Sequence, residues 1–212
     1  MVWFNLVLVM LLSHFFYQSS AFTILLNKPV NTVTSHSDNE DIAQCRQTVY
    51  ELLPQELVEK GKFHACGRLD VKTSGLLILT TDTKLVHYVT HPQEDASSKL
   101  WKYYEALGMG HIEESDIQRL REGVDLQGSL GISHPARVEL LSYSTEGKKK
   151  TKLKIGIAQG KNRQIRRMLH SIGSGVMELC RVQISRGNRG TVSFKRILLS
   201  IVVVLFNVRV VP

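Results

Sequence analysis

Asp70 is the acid best placed to do chemistry. It lies in a stretch bounded by Gly67 and Gly75, and the apolar run Leu76-Leu77-Ile78-Leu79-Thr80 follows at once. A carboxylate on a short loop ahead of a buried strand is aimed into a cleft from a rigid support. A single loop aspartate also serves as a turn former or cap, and that is its commoner use. Nothing in the spacing pairs Asp70 with a second acid, so two-carboxylate glycoside hydrolysis has no footing. Arg68 beside it is equally open in role.

The strongest local feature is basic. Residues 148–167 contain nine Lys/Arg and no acid. Such a surface suits phosphates, which give nucleic-acid binding most of its affinity and none of its sequence preference. A solvated, charged helix face is the plainer alternative. The chain as a whole carries a net charge of +8, divided as −2 over residues 1–100 and +10 over residues 101–212. A basic half of this kind implies a polyanionic partner. Cys45, Cys66 and Cys180 form no CxxC pair and no disulfide framework. The eight histidines show no HExxH spacing, and no Walker-type or GxGxxG loop is present, so neither a metal nor a nucleotide cofactor is expected.

The elements that must position these residues follow from pattern. At 212 residues, with 43% apolar and 22% charged composition, the chain is long enough for one sizeable core or two lobes sharing one. Residues 22–26 form a β-rich run stopped by Asn27-Lys28-Pro29. Residues 32–34 are expected to be a short partner strand, with a polar loop over 35–41. Leu52, Leu53 and Leu57 face a core. Residues 76–80 form a buried strand, and 83–90 a short helix ended by His91-Pro92. Residues 101–107 form an aromatic strand. Residues 116–123 are helical, with Ser115 as the expected cap and Gly123 as the stop. Residues 136–143 form a strand and 145–150 a charged hairpin tip. Leu153, Ile155 and Ile157 alternate with Lys152, Lys154 and Gly156, the period of a half-exposed strand. Gly160-Lys161-Asn162 turns into a helix whose Ile165, Met168, Leu169 and Ile172 make one apolar face, with Arg163, Arg166, Arg167 and His170 opposite. Gly173 ends it, and residues 177–184 form a last strand. Strands with interspersed helices and no regular βαβ period indicate an α+β class.

Four segments, in order, resemble the ribosomal pseudouridine synthases of the RsuA type. They are Leu25-Leu26-Asn27-Lys28-Pro29, the stretch GRLDVKTSGLLILTTD from Gly67 to Asp82, Lys102-Tyr103-Tyr104, and GKNRQIRRM from Gly160 to Met168 continuing to Leu179-Cys180-Arg181. The resemblance covers roughly residues 22–186. It implies a bent mixed sheet in two subdomains with the site in the cleft between them, and no cofactor or metal. It implies conversion of uridine in RNA, ribosomal RNA first, to pseudouridine: the glycosidic bond breaks, the uracil turns while held, and a carbon–carbon bond forms. By the match Asp70 is the catalytic carboxylate, reactive only as the anion. An arginine partner favours the charged form of such a group in a site that would otherwise disfavour it, and Arg166 matches that position. Tyr104 matches the aromatic that packs on the flipped target base, and Leu179 an apolar wall of its pocket. Lys28, Arg68, Lys161 and Arg163 are matched as phosphate or loop contacts.

The bacterial relatives usually carry a small S4-type RNA-binding domain ahead of the catalytic one, and this sequence leaves no room for it. The expected organisation is a targeting segment over 1–21, a catalytic domain over 22–186 and an atypical apolar tail over 187–212. The first segment carries no formal charge and offers Ser19-Ser20-Ala21 for cleavage, which points to a plastid or mitochondrion if it is a targeting signal. The tail's mainly apolar stretch, residues 197–211, is short of the roughly 20 residues that span a bilayer. A buried strand, a hydrophobic tail and a misread gene end all stay open for it. The chain is expected to act as a monomer on RNA, with no membrane partner. A catalytically inactive relative that only binds RNA is the alternative.

Overall fold

Seven residues, Ser74–Thr80 (β3), explain much of the architecture. All but Ser74 are buried, because the strand is covered on both faces, the situation in which a strand reads as a continuous apolar run. Leu77 and Leu79 enter the main core with Ile24 and Leu26. Leu76 and Ile78 enter a second cluster with Cys66, Leu85, Val89 and Ile184. The computed structural model describes residues 21–34, 47–91, 100–144, 147, 149–186, 189–193 and 201–202. The expected targeting segment, apart from Ala21, lies outside the described residues, as do the polar loop and most of the hairpin tip.

Around β3 the described chain forms a nine-stranded sheet in the order β5-β6-β4-β7-β3-β1-β9, with β2 on β3 and β8 on β7. The strands are β1 (Thr23–Lys28), β2 (His64–Ala65), β4 (Leu100–Met109), β5 (Arg137–Ser144), β6 (Lys150–Ile157), β7 (Val176–Arg186), β8 (Arg189–Ser193) and β9 (Ile201–Val202). The helices are α1 (Gln55–Val58), α2 (Thr83–Thr90), α3 (Glu114–Glu122) and α4 (Gln164–Ser171). This is the expected α+β class. Every pairing between these strands is antiparallel except β3 with β7, which is parallel and held by two register pairs, Ser74↔Cys180 and Gly75↔Arg181. The two halves of the sheet therefore meet at one short parallel contact.

Local chemistry accounts for the elements. The β6 alternation holds: Leu153 and Ile155 are fully buried, while Lys152 reaches Glu105 on the opposite face at 2.7 Å. Helix α2 is capped by Asp82, whose carboxylate accepts from Lys84 N at 2.8 Å. Helix α4 ends in paired bonds, Gly173 N to His170 O and Ser174 N to Leu169 O, both 2.9 Å, with Gly173 at φ +80°. This is a Schellman stop and needs a left-handed residue there.

Two expectations change. Residues 32–34 are not a strand: Val33 makes one isolated parallel bridge to Thr48. Ser115 lies inside α3, and Glu113 occupies the cap position without a side-chain bond. Of the apolar tail, for which a strand was one open reading, Ile201 and Val202 pair with Leu26 and Leu25 of β1. Among the described residues no helix is long and apolar enough to cross a membrane.

Candidate active site

The loop that carries Asp70 is fastened from several sides. Gly67 enters it at φ +84°, and Thr73 N bonds to Asp70 O at 2.9 Å, closing a turn. The Thr34 hydroxyl donates to Leu69 O at 3.0 Å and accepts from Leu69 N at 3.4 Å. Asn31, itself left-handed at φ +63°, donates to Val71 O at 2.8 Å. Beneath the loop, Lys28 is wholly buried, and its Nζ donates to Pro29 O at 2.8 Å and Thr73 O at 3.0 Å. Burial pushes the Lys28 pKa down to about 8, although the Asp70 carboxylate pulls the other way.

From the other half of the sheet comes Arg166 on α4. Its Nη2 donates to Lys72 O at 2.8 Å and lies 3.5 Å from Thr73 Oγ1; its Nη1 lies 3.5 Å from Val176 O. Its Nε lies 3.9 Å from Asp70 Oδ2, an ion pair without a close hydrogen bond, with the arginine 14% and the aspartate 40% exposed. The carboxylate keeps open lone pairs toward the cleft while a mostly buried cation stands behind it. Burial lowers the Arg166 pKa; Asp70 opposes that and Arg163 adds to it.

Opposite Asp70 a small cavity is walled by Tyr104 of β4 and Leu179 of β7, with Arg68, Arg163, Gly160 and Thr73 around it. It opens into a cleft of about 1170 Å³, which Arg68, Asp70, Tyr104, Gly160 and Arg163 also line and to which Lys72, Arg166, Lys102 and Arg181 belong. Tyr104 and Leu179 are 8% and 6% exposed, consistent with an aromatic and an aliphatic wall at the floor of a recess. The β3–β7 contact places the walls, since Ser74 and Gly75 pair with Cys180 and Arg181 beside Leu179. Gly75, at φ +101°, has no room for a side chain: a Cβ there would lie 2.3 Å from Arg181 O.

Of the residues picked from the sequence, Asp70, Arg68, Tyr104, Arg163, Leu179 and Arg166 come together at this site. Two lysines expected as phosphate or loop contacts bond to loop carbonyls. Lys28 is buried behind the loop, for the carbonyl partners described above. Lys161 donates to Leu130 O at 2.5 Å and Ile132 O at 3.1 Å, holding a neighbouring loop. Nor is the basic side of α4 simply solvated: Arg167 Nη1 donates to Leu126 O at 3.2 Å. Arg163 stands left-handed at φ +49° before the helix, a conformation that costs a non-glycine residue on the order of 1 kcal/mol. Thr34, Thr73, Lys102 and Arg181 received no role from the sequence. Thr73, Lys102 and Arg181 stand inside the matched segments, which is the one signal that could have found them. Among the described residues no three His, Cys, Asp or Glu side chains gather to hold a metal ion.

A family model described as RNA pseudouridylate synthase matches residues 23–171, which include Asp70, Tyr104 and Arg166. The chain belongs to that family. It is 31% identical over 169 residues to ribosomal large subunit pseudouridine synthase E of Vibrio parahaemolyticus, across 74% of this chain and 65% of that protein. It is also 31% identical over 163 residues to ribosomal small subunit pseudouridine synthase A of Vibrio cholerae, across 77% of this chain and 63% of that protein. A crystal structure of a pseudouridylate synthase matches with a TM-score of 0.65 at 29% identity, covering 79% of this chain and 64% of the other. Human RNA pseudouridylate synthase domain containing 1 shares the fold at a TM-score of 0.53 and 19% identity, over 84% of this chain and 80% of the other. The chain covers less than two thirds of the length of the two bacterial relatives. The pseudouridine synthase resemblance read from four short segments is thus met by the family match, and the mixed sheet by the structural one.

Proposed function

We propose that this chain isomerises uridine to pseudouridine in RNA, with ribosomal RNA as the substrate and Asp70 as the catalytic carboxylate, acting as a monomer without a bound cofactor. The observation that carries the reading is the arrangement around Asp70. One carboxylate stands before a mostly buried arginine and faces an aromatic and an aliphatic wall, in a cleft rimmed by Arg68, Lys72 and Arg163.

Each part has a task in that chemistry. A uridine stacked in a helix is out of reach of a recessed carboxylate, so it enters flipped, and the Tyr104 ring offsets lost stacking. Asp70 acts at the sugar as the glycosidic bond breaks, and its anion is the competent form. The Arg166 guanidinium stands behind it, its Nε 3.9 Å from Asp70 Oδ2. Tyr104 and Leu179 then confine the freed uracil while it turns to present carbon 5. Confinement matters because a detached base that escaped would leave an abasic site.

The experiment is release of tritium from RNA transcribed with uridine labelled at carbon 5, since forming the new carbon–carbon bond expels that label. Ribosomal RNA fragments and the full chain are incubated alongside Asp70→Asn. Release by the wild type and its loss of at least a thousandfold in the variant is the expected result. Folded wild-type protein that releases no label from any ribosomal RNA fragment refutes the proposal. If residues 1–21 address the chain to a plastid or mitochondrion, the modified uridine lies in that organelle's ribosomal RNA. Mapping pseudouridines with and without the gene reads out target and compartment together.

A further inference from the structure

Two cations of the cleft, Lys102 and Arg181, stand on neighbouring strands. Arg181 on β7 is 2% exposed. Its Nε donates to Leu76 O at 2.6 Å, while its Nη2 is buried with no hydrogen-bond partner among the described residues. Lys102 on β4 lines the same cleft as Arg181. Neither makes an ion pair with an acid among the described residues. A buried guanidinium N–H left unpaired bears its full desolvation cost, so it calls for a missing partner. Burial and the nearby Arg181 charge both push the Lys102 pKa down, as expected for like charges held together away from bulk water.

Position says what the partner is. Lys102 precedes Tyr104 by two residues on β4, Arg181 follows Leu179 by two on β7, and Tyr104 and Arg181 are register partners. Residues two apart on a strand share a face and are separated by roughly 6–7 Å. The cation pair therefore stands one step along the same strands from the two walls of the base cavity. That step is about the length of one nucleotide in an extended strand. Gly160 borders both spaces, and a Cβ there would be 3.9 Å from Lys102 Nζ, so no side chain partitions them.

We propose that Lys102 and Arg181 form a subsite for the backbone phosphate adjoining the uridine held between Tyr104 and Leu179. The inference rests on the RNA-modifying function proposed above and deepens it. A diester phosphate has the two free oxygens needed to take the Arg181 guanidinium and the Lys102 ammonium together. Held there, it fixes how deep the sugar sits against Asp70, which makes both residues positioning groups. The walls recognise the base, and the cation pair sets the register of the strand.

The test is binding of a short single-stranded oligouridylate to the full chain, followed by fluorescence anisotropy over a range of salt concentrations. Lys102→Gln is expected to reduce the slope of log affinity against log salt by about 0.7, the loss of one single-strand phosphate contact. Lys84→Gln, at an exposed position of α2 outside the cleft lining, leaves the slope unchanged. Arg181→Lys keeps the charge but not the fork, and weakens binding at fixed salt. Free uridine, which has no phosphate, competes equally well against wild type and Lys102→Gln. Thermal melts of each variant establish that it is folded. A folded Lys102→Gln protein with the wild-type slope overturns the proposal, as does an equal loss of affinity for free uridine. Tritium release by the wild type is measured separately, so an absent activity with an intact slope effect refutes the enzyme while leaving the phosphate subsite.

Discussion

Replacing Lys28 by Met probes the floor of the Asp70 loop, and pH separates its two effects. The Lys28 pKa falls from 10.5 to about 8 on burial. At 1.36 kcal/mol per unit, holding the ammonium in the folded protein at neutral pH costs about 3 kcal/mol. Between pH 8 and 10.5 the unfolded chain keeps that proton and the folded chain has lost it. The unfolded state then binds more protons, so this group makes the protein more stable as pH rises through the window. Below pH 8 both states are protonated and the cost stays constant. Met removes the titration, and it also leaves Pro29 O and Thr73 O without their donor, at about 1–3 kcal/mol for each buried carbonyl. The two effects partly cancel at pH 7, so Lys28→Met should unfold within about 3 kcal/mol of the wild type there. By pH 10.5 the wild type has gained about 3 kcal/mol that the variant cannot gain. Urea unfolding of both proteins at a series of pH values between 7 and 10.5 measures the gap, and every other titrating group cancels in the difference. A gap that does not widen across the window refutes the reasoning, because it means Lys28 is not a desolvated cation in the fold.

Two further substitutions address how the halves of the site are joined. Gly75→Ala puts a Cβ 2.3 Å from Arg181 O and 2.8 Å from Cys180 Sγ at a φ of +101°, and should cost roughly 3 kcal/mol or more; a urea midpoint near the wild type's would show that the β3–β7 contact gives way easily. Arg166→Lys keeps a charge behind Asp70 but cannot span Lys72 O, Thr73 Oγ1 and Val176 O at once. It should lose about 1–2 kcal/mol of stability and most of the tritium release, and undiminished release would show that charge alone suffices.

What was legible in the sequence was whatever one stretch of chain decides for itself. Helix α2 was readable to the residue because its cap, Asp82, and its stop before Pro92 are local. Strand β6 was readable because its two faces differ. Strand β3 was readable because a run of Leu and Ile has nowhere to go but inside. Residues 32–34 misled because their composition is that of a strand while their bonds belong elsewhere. Thr34 spends its hydroxyl on Leu69, 35 residues away, and Val33 bridges only Thr48. The cap of α3 misled for the reason that a good capping residue, Ser115, stood two residues too late in the chain.

The basic residues were the harder problem, and one physical cause covers them. A lysine or arginine in sequence declares a charge but not its surroundings, and the surroundings here are backbone carbonyls supplied by distant segments. Lys28 is answered by Thr73 O, Lys161 by Leu130 O, Arg167 by Leu126 O, and Arg166 by Lys72 O. Each of these cations ties one loop of the site to the framework, so less of the charge is free for RNA than composition implies. Arg181 is held on one side by Leu76 O, while its Nη2, like Arg167 Nε, is buried without a hydrogen-bond partner among the described residues. The net charge is therefore a poor map of where a polyanionic partner would sit. Within the cleft the map comes from asking which cations the fold leaves unanswered, and that question leads to the phosphate beside the uridine.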